Sequence, residues 1–413
     1  MKKFTFGKAL SLTALASAMV LSSCQKEELM EQQFAAPTDV QQTSGTSGQA
    51  IEGQYIVVFQ DGSTNSISAM GEATTRQSVL AQSGIEAGAV KETFQGAVKG
   101  FAARLSADQL KELRNNPEVA YVEQDKIINI EKGITSANTT ASAEGSITAQ
   151  GTVGTITPMS GEIVPWNIQR VGYGDGRGKT VWIIDSGVDT DHPDLTVDRS
   201  RSKSFVSGTT SIEDGYGHGT TVAGIIAAKN NGRGMIGVAS GATVVALRVF
   251  NDSGAGTLSS AISAVSHVNM NAKAGDVVNM SIGSGISSTL DYLVKSAASK
   301  GIKFAIAAGN SAVDCASTSP ARLNAPGVYT VSAMDSYGRL WSRSNYGLSV
   351  DFAAPGVNVT TTTKGGSIGS GAYGTSFAAP HVAGILLLKG TVVAKGTITG
   401  DKDSKADPIA SLN

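Results

Sequence analysis

The chain has 413 residues, enough for two or three domains. Its formal net charge is −1, so no basic field argues for a nucleic acid or an acidic lipid surface. Hydrophobic residues make up 41%, an ordinary globular share, while 49 glycines, about 12% against a usual ~7%, suit tight turns and close backbone approach.

The first segment, residues 1–23, has a basic region at Lys2, Lys3 and Lys8 followed by an apolar stretch. It reads as a signal peptide, too short and wrongly flanked for an ordinary spanning helix. Its end, Leu21-Ser22-Ser23-Cys24, resembles the lipobox of bacterial lipoproteins. That resemblance implies that Cys24 becomes the lipidated first residue and anchors the protein to a membrane of the cell envelope, at the outer membrane or cell surface. Plain secretion is the alternative. Gln25-Lys26-Glu27-Glu28 resembles a lipoprotein surface-export signal, against a solvated charge run. Residues 24–51 are polar and rich in Gly, Ser, Thr and Gln, a flexible tether. The other cysteine, Cys315, is not expected to pair with Cys24 and reads as a small buried apolar residue.

Residues 52–130 form a small α+β sandwich of strand, helix, strand, helix, strand. "QYIVVF" is a strand, a helix covers the 77–83 region, "SADQLKELRNN" has helical spacing and stops before Pro117, and "VAYVEQD" alternates as a strand. A linker over 131–163, rich in Thr, Ser, Ala and Gly, reads as mobile and cleavable. From residue 164 to 390 the texture changes. "TVWIID", "ATVVALRVF", "DVVNMSI", "IKFAIAA" and "VYTVSAM" are near-continuous apolar runs, as in strands buried on both faces. Helical patterns lie between them, so the fold class is α/β, a doubly wound parallel sheet. Residues 391–413 read as a C-terminal tail.

In such a sheet the site lies at the carboxyl ends of the strands. "TVWIID" ends in Asp185, and "IKFAIAA" runs into Gly309-Asn310. In "GTSFAAPHVAG", residues 374–384, Ser376 sits among small residues at the start of a helix. The small residues suit close packing, and the helix N-terminus also suits a nucleophile whose reaction builds negative charge. A base for neutral pH would be His, and there are four. His381 projects away from Ser376 on the same helix, and His192 and His267 suit structural roles. His218 stands at the entrance of a small-residue helix, where its imidazole can reach out. Asp185, His218 and Ser376 then make an acid–base–nucleophile triad, with the Ser376 N–H and the Asn310 amide available to an oxyanion.

"IIDSGVDTDHPDL", "DGYGHGTTVAG", "VVNMSIG", "AAGN" and "GTSFAAPHVAG" together resemble the landmark motifs of the subtilisin-like serine proteases, nearest their proteinase K-like branch. The order Asp, His, Ser is that family's and differs from chymotrypsin's. The resemblance spans residues 164–390, and residues 52–130 resemble the family's inhibitory propeptide, which acts as intramolecular chaperone and inhibitor. It implies a self-processing serine endopeptidase acting on protein and peptide substrates, with no cofactor required for chemistry and no nucleic acid partner. It assigns Ser281, Ile282 and Gly283 to one edge that pairs with extended substrate, and Gly254, Ala255 and Gly256 to the opposing edge. Ala307, Ala308 and Gly309 form a wall of the pocket before the cut bond, and its uncharged lining suits an apolar or aromatic side chain. Pro326, Val328 and Asp351 align loosely with a structural Ca²⁺ site of the proteinase K branch. Thr221 replaces a usual His and Phe377 a usual Met, which removes a peroxide-sensitive thioether. A binding module on a degenerate protease scaffold would lack a triad residue, and none is missing. An esterase with the same triad would not need edges for an extended peptide.

Overall fold

A computed structural model describes residues 46–60, 69–130 and 156–413. The signal segment, Cys24 and residues 131–155 lie outside the described residues.

The N-terminal module contains β1 (Ala50–Phe59), α1 (Ala69–Gln82), β2 (Val90–Phe94), β3 (Gly100–Arg104), α2 (Ala107–Asn115) and β4 (Val119–Asn129). The strands lie antiparallel in the order β4-β1-β3-β2. Two expectations need correction. The strand β2 is additional to the expected strands, because its sequence VKETF alternates polar and half-buried residues and has no apolar run. The first helix begins at Ala69, eight residues before the predicted 77–83 region. The start of α2 is set by a capping box, in which Gln109 N–H donates to Ser106 Oγ and Ser106 N–H to Gln109 Oε1. One face of the sheet buries Val57, Phe59 and Phe101 with Val79, Leu80 and Leu113. The other face carries Ile56, Val58, Phe94 and Ala102, which join a core cluster of the second module.

That second module is ordered from residue 156 onward, earlier than the predicted boundary at 164. Residues 156–163 are tied down by hydrogen bonds rather than loose. Met159 N–H donates to Asn230 Oδ1, and Ile163 exchanges backbone hydrogen bonds with Gly234 and Ile236. Its main elements are α3 (Trp166–Val171), β5 (Thr180–Asp185), α4 (His218–Ala227), β6 (Thr243–Arg248), β7 (Ala255–Thr257), α5 (Leu258–Asn271), β8 (Val277–Met280), α6 (Ser288–Ser299), β9 (Lys303–Ala307), β10 (Val328–Met334), β11 (Val350–Pro355), β12 (Val359–Thr363), α7 (Thr375–Lys389), β13 (Val393–Thr397) and β14 (Pro408–Ser411). The large sheet runs β13-β14-β11-β10-β9-β8-β5-β6 and is parallel except for the outermost pair. Alternate strand residues face opposite layers. Trp182, Ile184, Leu247, Phe304 and Ile306 pack toward α5 and α6, while Val181, Ile183, Ala246 and Ala305 pack toward α4 and α7. This two-sided burial is why the strands read as continuous apolar runs. The register Leu247↔Ile184↔Met280 keeps the strand ends level, so Asp185 and Ser281 emerge at one edge.

Residues 391–413 are not a tail. They form a hairpin whose inner strand β14 lies parallel to β11, with Ile409, Ala410 and Leu412 buried. Leu412 N–H donates to Val171 O. The polar, charged turn between the two strands hides this pairing from a periodicity reading.

The two modules share a sheet. The edge strand β4 pairs antiparallel with β7, in the register Asn129↔Ala255, Ile128↔Gly256 and Ile127↔Thr257. Two carboxylates of β4 meet helix N-termini of the second module. Asp125 accepts from Ser259 N–H (3.0 Å) and Ser259 Oγ (2.6 Å) at the start of α5. Glu123 accepts from Thr289 Oγ1 (2.6 Å) and N–H (3.3 Å) at the start of α6. An acceptor with negative charge there satisfies orphan N–H groups and complements the positive end of the helix dipole. A third contact runs from Ser263 Oγ to Glu92 on β2 (2.9 Å). Burial at this contact pushes the Glu92 carboxyl from an ordinary 4.5 up to about 7, against the pull of Ser263 and Lys203. A carboxyl whose pKa is raised in the complex binds protons there more tightly than when the modules part. The association of the modules therefore weakens as pH rises from about 4.5 through about 7. Burial raises the Asp125 carboxyl pKa at the same contact as well, so measured inhibition constants for residues 46–130 added in trans should rise across that interval and Glu92→Gln should remove part of the rise; an equally steep profile in Glu92→Gln would assign the dependence elsewhere.

Candidate active site

The last residue of β5 is Asp185, and the first residue of α4 is His218. Their side chains pair in the interior, with His218 Nδ1 at 2.9 and 3.0 Å from the two Asp185 oxygens. A carboxylate can only accept, so Nδ1 carries the proton and Nε2 presents a lone pair. Burial alone would push the His218 pKa down. The charge and hydrogen bond of Asp185, helped by Asp214, outweigh it, and the net direction is up. The imidazole lies against Phe377, ring centroids 5.1 Å apart. This places it beside the first turn of α7, where Ser376 precedes Phe377.

The start of α7 is built around a deliberate gap. Pro380 lies inside the helix and has no N–H to give to the carbonyl of Ser376, four residues earlier. Ser281 Oγ donates to that carbonyl instead, at 3.0 Å, and itself accepts from Asn279 Nδ2 at 3.0 Å. The nucleophile candidate is thereby pinned to the end of β8.

Asn310 follows β9 on a short loop. Its Oδ1 accepts from both the N–H and Oγ1 of Thr375, each at 2.9 Å. With the carbonyl end committed, Nδ2 is the donor left to the cavity that Asn310 and Ser376 both line. Asn345 holds the same loop, donating to Ala308 O and accepting from Ser311 and Val313 N–H. Gly309 adopts φ 108°, and a Cβ there would come within 2.4 Å of Asn345 Nδ2, so the turn requires glycine. Asn345 carries no separate signal in the sequence, whereas Thr375 is marked only by standing beside Ser376.

The cavity is walled by Ser281, Ile282, Gly283, Ala307 and Gly309, with Ile130 of the N-terminal module in it. Ala308, expected on the same wall, turns its methyl into the core instead. On one side of the cleft Gly254, Ala255 and Gly256 hold the N-terminal module's end, through the β4–β7 ladder and Ile130 N–H to Gly254 O (2.9 Å). On the other side Ser47 Oγ donates to Gly283 O at 3.0 Å, and Gly48 N–H bonds Ile127 O at 2.8 Å. The segment just upstream of β1 thus lies alongside β4 at the Ser281–Gly283 edge.

The remaining histidines are structural. His381 is buried, accepts from Asn167 Nδ2 at 3.0 Å and donates Nδ1–H to Phe377 O at 2.8 Å; burial pushes its pKa down to about 3. His192 accepts from Asp194 N–H, and His267 packs edge-on to Trp182 and Phe205. Cys315 is buried without a disulfide, its thiol pushed up to about 12 by burial. Of the residues aligned with a calcium site, Val328 begins β10, Pro326 lies two residues before it, and Asp351 on β11 accepts from Thr330 N–H at 2.8 Å. A separate oxygen cluster surrounds Asp194. Glu162 Oε2 and Asn231 Oδ1 are buried there without a hydrogen-bond partner among the described residues, donor chemistry that suits a hard cation.

Comparison with known proteins agrees with this architecture. Residues 176–395 match the subtilase family and residues 54–131 match the peptidase inhibitor I9 family. The chain belongs to the subtilase family: it is a subtilisin-like serine endopeptidase with its own inhibitor module, made in zymogen form. It is 37% identical to alkaline serine exoprotease A of Vibrio alginolyticus over 82% of this chain and 60% of that protein's length. It is 34% identical to proteinase R of Parengyodontium album, covering 82% and 79%, and 36% identical to subtilisin E of Bacillus subtilis, covering 84% and 82%. Among solved structures it resembles a cold-adapted subtilisin-like serine proteinase, with 34% identity, a TM-score of 0.52, and coverage of 61% of this chain and 98% of that one.

The orientation of Asn310 gives a direct test. Asn310→Leu keeps the approximate volume but removes the donor, and kcat should fall about 10²–10³-fold with KM little changed, the range for loss of one oxyanion donor. Steady-state kinetics on a peptide substrate that left kcat intact would place the oxyanion elsewhere.

Proposed function

We propose that this protein is a cell-envelope endopeptidase that matures by cutting its own chain, with Ser376 as nucleophile. The observation that carries the reading is the path of β4. It enters the cleft as a substrate strand would, against β7, and brings Ile130 beside Ser376 and Asn310. In the proposed cycle, His218 Nε2 takes the Ser376 hydroxyl proton as Oγ attacks the scissile carbonyl. Asp185 holds the imidazole in the required tautomer and faces the positive charge that forms. Asn310 Nδ2 and the Ser376 N–H receive the oxyanion. The proton returns to the leaving amine, and water, activated by the same imidazole, releases the acyl group from Ser376.

Extended protein and peptide segments are the proposed substrates, held by main-chain bonds to residues 254–256 and 281–283. The uncharged wall at Ala307 and Gly309 favours an apolar side chain before the cut bond. Self-cleavage is assigned to the stretch between Ile130 and residue 156, because the segment from 156 onward is bonded into the catalytic module. Intact mass of the purified zymogen should fall with time in the wild type and stay constant in Ser376→Ala, whose turnover should drop about 10⁶-fold. Normal maturation of the alanine variant in isolation would sink the assignment.

We propose lipid anchoring through Cys24 for the location, with release as a secreted enzyme as the alternative. The Leu-Ser-Ser-Cys ending supports it. Detergent phase partitioning should place the wild type in the detergent phase and Cys24→Ala in the aqueous phase; a wild type wholly in the aqueous phase would favour secretion.

A further inference from the structure

A second buried carboxylate lies next to the catalytic pair and has no part in the triad. Asp214 is 2% exposed and forms no ion pair among the described residues. Both of its oxygens are saturated by dipoles instead. Oδ1 accepts from Ser186 Oγ at 2.8 Å and Gly217 N–H at 2.6 Å. Oδ2 accepts from Thr220 N–H at 2.8 Å and Thr220 Oγ1 at 2.7 Å. Ser186 Oγ in turn accepts from Gly219 N–H at 3.0 Å.

These five bonds have a common geometry. Ser186 is the residue after Asp185, at the end of β5. Gly217, Gly219 and Thr220 flank His218 at the start of α4. One carboxylate therefore joins the strand end that carries the acid to the helix start that carries the base. The packing leaves no slack, since a Cβ on Gly219 would come within 2.0 Å of Gly187 O. Thr220 N–H is also an orphan donor of the first helical turn, where a negative acceptor is favoured.

We propose that Asp214 is a positioning residue for the proteolytic reaction: it locks Asp185 and His218 into one register and adds a second negative charge near the imidazolium that forms during turnover. This rests on the reading of His218 as the base. Burying an ion without a counter-ion is costly, and a neutral residue could anchor the same loop more cheaply. The charge is put to use if its target is a transient cation. Asp214 is among the groups whose charge acts on His218, second to Asp185. Lys364, just past β12, donates to Gly215 O at 3.1 Å, and Asp189, Glu213, Arg248 and Asp252 line the same cavity as Asp214; the charges that act on His218 are those of Asp185 and Asp214. Thr361 and Thr362 of β12 donate to the carbonyls of Thr221 and Thr220, Phe377 covers the ring, and His381 is spent on Asn167 and Phe377 O. Tyr216, two residues upstream, is a phenol held above its ordinary range by burial and then by Asp185.

The test is Asp214→Asn, matured from the full chain, with active sites counted by fluorophosphonate labelling of the nucleophilic serine. An amide can accept at only one of its two ends, so half of the clamp opens and the charge is lost. The expected result is a fall in kcat of about 10–10²-fold per labelled site with KM within about twofold. The acid limb of the kcat/KM profile should move to lower pH, because a negative charge that favours the protonated imidazole is gone. Ser186→Ala, which opens the clamp but keeps the charge, should lower kcat and leave the acid limb in place. A merely structural Asp214 would cost yield or thermal stability while kcat per labelled site and the acid limb stayed at wild-type values, and that result overturns the proposal. Should Asp214→Asn fail to mature, Ser186→Ala and Thr220→Val decide: reduced kcat at unchanged KM supports the clamp, and wild-type kcat in both overturns it. Absence of labelling in the wild type would count against the serine protease reading itself, and so is distinguishable from failure of the clamp.

Discussion

The catalytic module is organised by the burial of one ionic hydrogen bond. Asp185 and His218 meet where water does not reach, so their relative position cannot be left to solvent or to flexible side chains. Low local dielectric strengthens the pair and also magnifies any error in its geometry. The surrounding structure reads as a response to that demand. Level strand ends bring Asp185 and Ser281 to one edge, and the hydroxyl of Ser281 then fixes the backbone of Ser376 across the gap left by Pro380. Thr375 fixes the amide of Asn310. Each group of the proposed mechanism is held by a residue outside it.

The inhibitor module exploits the same local physics from outside. Asp125 and Glu123 lie two residues apart on one face of β4 and satisfy the second backbone N–H of α5 and of α6. Neither donor site is presented until its helix has formed, and β4 reaches both only when the helices lie side by side, so the inhibitor binds the folded arrangement and favours it by mass action. A parallel sheet built from distant segments gains most from such a template, because its long-range pairings form late and slowly.

Much of this was legible in sequence because the informative residues stand where regular patterns stop. Asp185 ends an apolar run, Asn310 follows one, and Ser376 opens a helix of small residues. The inhibitor module was visible for a related reason, since the segment ending in VAYVEQD leads straight into the cleft. Other features had no such marker. The strand β2 carries Lys91, Glu92 and Thr93, and its polar side is explained only by the helix it meets. Asp214 and Thr375 look like ordinary loop and cap residues, because their value lies in partners remote in the chain or on another element. Residues 156–163 look like more linker until the loop around Asn230 and Gly234 is seen to receive them. The hairpin after residue 390 was hidden by its charged turn, and the pairing that makes it a strand partner is to β11, more than forty residues earlier.

That hairpin separates chemistry from architecture along the chain. Every residue of the proposed triad and the proposed oxyanion donor precede Gly390, yet the sheet that seats them is closed only by β14, with Ile409, Ala410 and Leu412 sealing its flank. A chain stopped after Gly390 would hold a full complement of reactive groups and an open strand, β11, with its backbone donors and acceptors bare. Such an edge is a template for other chains. Truncation at this point would thus be expressed first as self-association rather than as a missing reaction step. The fully exposed outer strand β13, with Lys395 at its centre, is the blunt border that the intact protein presents in its place.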